Sequence, residues 1–156
     1  MNTYTQLLYY IKSLGDADVF VNTVTKSVDE NLDIYKGNIF PILNINVTGA
    51  SYPSQSVIRY NVELTCIDLR DINKEIVNDK FFENDNEVDN LNETQAVLNR
   101  VWLNMIKDFA DNDITASETP TLLPLIYEGK NVYDGWQLTF DADMPNTIIS
   151  LCDDEC

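Results

Sequence analysis

The sequence predicts an α+β fold: a mainly antiparallel β-sheet with an N-terminal helix and one long helix, about 90–109, packed on one face, in the order α-β-β-β-α-β-β. Three observations carry that prediction. Residues 56–69, SVIRYNVELTCIDL, put Ile58, Tyr60, Val62, Leu64 and Cys66 on one side and Arg59, Asn61, Glu63 and Thr65 on the other, the period of two of a half-buried strand. The stretch GWQLTFDADMP does the same near the end, with Trp136, Leu138, Phe140, Ala142 and Met144 opposite Gln137, Thr139, Asp141 and Asp143, until Pro145 stops it. Between them lies a helical stripe of Leu91, Leu98, Val101, Trp102, Met105, Ile106 and Phe109. Two-faced strands plus helices with one apolar stripe fit a sheet covered by helices on one face, leaving the other to water or a partner.

Taken in order, TYTQLLYYIKSLG opens the chain with Tyr4, Leu7, Leu8, Ile11 and Leu14 on one helical face, and Gly15 suits the exit of that helix. DVFVNTVT reads as a strand of weaker alternation, and DENLDIYKGN as a turn or short helix. PILNINVT places Leu43, Ile45 and Val47 against Asn44, Asn46 and Thr48; GASYPSQ reads as a turn-rich connection to the next strand, making an antiparallel hairpin. Residues 70–90 form a dense polar loop. Asn90 with Glu93 then makes a capping box for the long helix. ADNDITASETP is a second polar connection, and TLLPLIYEG a strand that Pro124 confines to an edge or a bulge. No repeat or linker divides residues 1–156, so one domain is expected, with the last few residues flexible.

Composition excludes more than it selects. With 26 acidic and 10 basic residues the formal net charge is −16, which argues against binding a nucleic-acid backbone by counterion release. The chain has no histidine, which removes the commonest general base and the usual zinc ligand. Cys66, Cys152 and Cys156 make an odd count without a disulfide framework; Cys66 falls on the apolar side of its strand and reads as a buried hydrophobe. No basic n-region precedes an apolar run and no 18-residue apolar stretch occurs, so no membrane association is expected.

Two clusters invite chemistry. From Asp85, ENDNEVDNLNET mimics a calcium loop with Asp85, Glu87 and Asp89 at positions 1, 3 and 5. Asn90 stands where Gly is needed, however, and Ala96 where the closing Glu is needed, so an EF-hand is rejected. Asp141 and Asp143 lie about 7 Å apart along one strand face, and Glu63 is a candidate neighbour from the central strand. As a metal-dependent hydrolase site this trio lacks further converging ligands, and the wet face of a strand explains it better. No phosphate loop or nucleophile motif occurs. No catalytic residue, metal or cofactor is therefore expected, and the chain reads as a non-enzyme.

The order of segments adds a resemblance. An opening helix leads through the strand of Phe40, Pro41 and Ile45 to the long strand ending at Asp68. A long helix then precedes the closing pattern of Gly135, Trp136, Pro145 and Cys152. Over almost its whole length the chain resembles the tail-terminator or tail-completion proteins of tailed bacteriophages, and most closely the neck and tail ring proteins of crAss-like gut phages. The resemblance implies a virion structural protein, assembled in the bacterial host cytoplasm. It would be a subunit of a homo-oligomeric ring, commonly six-fold, between portal and tail, contacting other neck, portal or tail proteins and enclosing DNA without sequence-specific binding. Glu63, Asp141 and Asp143 then become candidate channel or interface acids, since an acidic lumen repels passing DNA. The alternative is an acidic DNA mimic that inhibits a host DNA-binding enzyme, motivated by the net charge alone.

Overall fold

The structure, a computed structural model, describes residues 3–26, 39–71, 81, 85–108, 113–128 and 132–146. Its elements are helix α1 (Thr3–Ala17), strands β1 (Thr23–Thr25), β2 (Ile42–Ser54) and β3 (Val57–Leu69), helix α2 (Glu87–Lys107), and strands β4 (Thr115–Ala116), β5 (Thr121–Glu128) and β6 (Tyr133–Pro145). One six-stranded sheet runs in the order β1-β2-β3-β6-β4, and β5 also pairs with β6. The short β1–β2 pair is parallel and every other pairing is antiparallel. The α+β class and the broad element order are therefore those that the periodicities predict.

Register explains the core. Leu43, Ile45 and Val47 of β2 stand beside Cys66, Leu64 and Val62 of β3, which stand in turn beside Trp136, Leu138 and Phe140 of β6. Because side chains alternate across a strand, these rows share one face. Leu7 and Ile11 of α1 and Val97, Leu98, Val101 and Met105 of α2 close over that face and are buried with it. Each such large aliphatic side chain contributes about 1.5–3 kcal/mol by leaving water. The helices are tied together at two points. Arg100 of α2 clasps Asp18 through Nε at 2.7 Å and Nη2 at 2.9 Å, and Tyr10 Oη donates to Asp108 Oδ2 at 2.9 Å.

Several expectations change. Gly15 does not end its helix: α1 continues to Ala17 and Gly15 is buried inside it. A Cβ there would sit 2.7 Å from Leu43 Cδ2 and 2.8 Å from Val24 Cγ2, so the glycine serves the close approach of helix to sheet. The weakly alternating DVFVNTVT keeps only Thr23–Thr25 as strand, with a turn before it. GASYPSQ is not a connection. β2 runs through it to Ser54, and only Gln55 and Ser56 separate it from β3. Its turn-forming residues are tolerated because this end of β2 is exposed and its register with β3 shifts between Val47 and Gly49 and again between Ser51 and Ser54.

The start of α2 moves from Asn90 to Glu87, and the Asn90–Glu93 capping box is absent. Asn86 is the N-cap and makes no side-chain cap bond. Asn90 is buried, with its Nδ2 donating to the Leu69 carbonyl at 2.8 Å, so its carboxamide docks the helix onto the end of β3. The predicted helix end at Phe109 lies outside the described residues, and α2 closes at Lys107. The polar connection 110–120 contains β4, whose two residues pair with Asp143 and Ala142 of β6. The segment 29–38, most of the loop 70–90, Cys152 and Cys156 also fall outside the described residues.

The face away from the helices is not wholly open. At the end where β3 leaves the sheet, Ile42, Ile67 and Tyr133 are buried together, with Phe40 and Leu125 packed on them. Asn44 and Thr65 are buried on the same face. The run Thr65–Cys66–Ile67 is thus covered on both sides, which period-two alternation does not foresee.

Candidate functional site

β3 and β6 carry the sequence-predicted acids on the face opposite the helices. Arg59 stands beside Asp143, Asn61 beside Asp141 and Glu63 beside Thr139 in the strand register. Each acid has a neighbour's donor. Arg59 grips Asp143 in a two-pronged bond, Nε to Oδ1 at 2.6 Å and Nη2 to Oδ2 at 2.7 Å. Asn61 Nδ2 donates to Asp141 Oδ1 at 2.6 Å, and Asn46 Nδ2 lies 3.5 Å from Glu63 Oε1. Glu63, Asp141 and Asp143 therefore form a rank along neighbouring strands and do not converge on a common point. Among the described residues no group of three or more acidic or thiol side chains is disposed to hold a metal ion.

The electrostatics follow from these bonds. The hydrogen bonds from Arg59, with its charge, outweigh partial burial and hold the Asp143 carboxyl below the ordinary carboxylate range. Asp143 is accordingly a fixed anion near neutral pH and a poor proton shuttle. A lowered folded-state pKa gives stability that is present above the ordinary value and lost as pH falls through the lowered one. Asp143→Asn should therefore melt below the native chain at neutral pH, with the gap closing as pH falls below about 4, the ordinary aspartate value. Thermal melts from pH 7 downward check this, and a gap independent of pH would contradict it.

A second cluster is built around Arg70, the residue that follows β3. Arg70 Nε and Nη2 bind both oxygens of Asp134 at 2.8 and 2.7 Å, Nη2 also reaches Glu87 Oε2 at 2.6 Å, and Nη1 lies 3.6 Å from Asp85 Oδ2. The Asp134 side chain is 0% exposed and that of Arg70 8%. Residues Asp85 and Glu87, positions 1 and 3 of the rejected calcium loop, thus face a guanidinium. They also complement the positive N-terminal end of α2. Asp68, the register partner of Asp134, has its carboxyl pushed up by burial against a weaker opposing bond from the Leu69 amide. Sequence reasoning missed this cluster because nothing in local periodicity pairs position 70 with 134.

A third feature is an open cleft of about 430 Å³ between α2 and the β5 side of the sheet. From α2, Asn92, Gln95 and Asn99 give it polar lining and Ala96, Leu98 and Trp102 apolar lining, and Pro120, Leu122 and Leu138 line it from the sheet side. Trp102 is half-buried and donates its Nε1 proton to the Ser117 carbonyl at 2.9 Å. Trp136 likewise donates to the Leu91 carbonyl at 2.9 Å. Both indoles fasten α2 to what lies beneath it. Cys66 is fully buried, and burial, with the charges of Asp18 and Asp68 adding to it, pushes its thiol far up, so it is an inert core residue. No helix is long and apolar enough to cross a membrane among the described residues. Compared with known proteins, the chain matches no family model and no curated sequence.

Proposed function

We propose that this chain is a structural subunit of a ring in the neck or tail of a tailed bacteriophage, one of several copies that join portal to tail around the DNA channel. The observation that carries the reading is the order of segments that resembles tail-terminator proteins, from the Phe40–Pro41 strand to the closing Gly135–Trp136 strand. The two-faced sheet supports it. Helices plate one face, while the other offers Glu63, Asp141 and Asp143 with Arg59 set beside Asp143. Such a face, in a chain of net charge −16, repels a nucleic-acid backbone and suits a channel through which DNA slides. Head-to-tail contacts that close around an axis would generate the ring. The DNA-mimic alternative draws less support, because Asp141 and Asp143 are committed to Asn61 and Arg59.

Electron microscopy of virions, with the purified chain mixed with its portal and tail partners, tests the reading. The expected result is a closed ring of this chain in the neck or tail. Absence from virions, together with a monomer that ignores portal and tail proteins, overturns it.

A further inference from the structure

We propose that the outer edge of β5, with the cleft beside it, is a docking strip for an extended, basic segment of a partner protein that adds itself to the sheet as a further strand. The inference does not depend on ring formation. It begins with the main chain: β5 pairs with β6 alone, so among the described residues nothing pairs with its other edge. An unpaired edge is a row of N–H and C=O groups that template another strand, and natural sheets blunt such edges with charges, proline, bulges or covering elements. Here Thr121–Ile126 carries no charge, and Leu123 and Ile126 leave 53% and 46% of their surface exposed. Pro124 and the irregularity after Leu125 protect the far half, leaving Thr121–Leu123 open.

The cleft supplies what an incoming strand needs on its inner side. Leu122 and Leu138 floor it beside the half-buried Trp102 ring, so a large apolar side chain has a place to bury. Asn92, Gln95 and Asn99 follow one another three and four residues apart along α2, so their carboxamides form one neutral polar wall that can bond to a peptide backbone. Strand addition of this kind takes affinity from main-chain hydrogen bonds and specificity from pockets for alternate side chains. Charge selects the occupant. Glu118, three residues before β5, and Glu93, next to Asn92 on α2, are both exposed, and the chain as a whole is strongly anionic. A second copy would bring the same −16 charge to the contact, whereas a basic segment gains from it.

Display selection on the full chain is the test, using randomised peptides of about ten residues, the length of a long strand. Selection is repeated on a Leu123→Lys/Ile126→Lys variant, whose exposed substitutions leave the core untouched and whose folding is checked by its melt. Enriched peptides are expected to be net positive with apolar residues at alternate positions. Resynthesised, they should lose about tenfold or more in affinity on the variant, and as much when N-methylated at the residues whose amides face β5. N-methylation at the intervening residues should be tolerated. Failure to enrich any peptide, equal binding to both chains, or indifference to N-methylation overturns the proposal. So does a native dimer that the variant abolishes, which would assign the edge to a second copy.

Discussion

Gly135→Ala is expected to leave little folded protein. A Cβ at position 135 would lie 1.9 Å from the Cys66 carbonyl oxygen and 2.9 Å from both the Cys66 carbonyl carbon and Ile67 Cα. Those atoms are backbone of β3, in the middle of the sheet, and cannot swing aside as a side chain can. Overpacking that side chains can absorb costs about 1–3 kcal/mol. Here β3 and β6 must separate where they hold the core together, so the loss should exceed about 4 kcal/mol, most of the margin of an ordinary domain. Gly49→Ala is the control. Its Cβ would meet only Asn61 Oδ1, at 3.2 Å, on an exposed stretch, and stability should stay within about 1 kcal/mol of native. Denaturant midpoints for the two variants measure the contrast. A Gly135→Ala chain as stable as the native one would refute the close approach of β3 and β6.

Arg70→Met should cost about 3–5 kcal/mol, the range for removing one partner of a buried ion pair. The loss does not come from the attraction alone. Asp134 stays fully buried without its guanidinium, and Glu87 and Asp85 remain facing it. Because the same bonds join the end of β3, the start of β6 and the first turn of α2, the variant should also loosen the α2 N-terminus, read as faster amide exchange near Asn90. A second change, Arg70→Met/Asp134→Leu, should recover much of the stability, since an apolar replacement of the whole pair removes the uncompensated charge. If the double variant is no better than the single one, Asp134 is not the source of the cost. Arg70→Lys should fall between, because an ammonium keeps the charge and loses the two-pronged geometry.

The peptide and pH experiments described above probe surfaces, whereas these two probe the frame that holds the surfaces in register. Both rest on contacts between residues distant in the chain: Gly135 against Cys66, Arg70 against Asp134. Neither contact leaves a trace in local pattern. Gly135 looks like a turn glycine before a strand, and Arg70 looks like one more charge in a polar loop.

What the sequence determined by itself was periodic. Alternation in 56–69 and 135–145 defined two strands and their wet and dry faces, because a side-chain period of two is local geometry. The same rule put Glu63, Asp141 and Asp143 on one side, and the helical stripe found α2 to within a few residues. Tertiary structure decided the rest. Strand pairing gave Asp143 to Arg59 and Asp141 to Asn61, turning a loose pair of acids into two separately bonded side chains. Packing drew Gly15 inside a helix and Asn90 away from a cap, since a glycine that permits close approach reads the same as one that ends a helix. Among the described residues the sheet order left β5 at an edge beside an open cleft. Such facts depend on which strands are neighbours, and neighbours are chosen by the burial of all the faces together, not by any one segment.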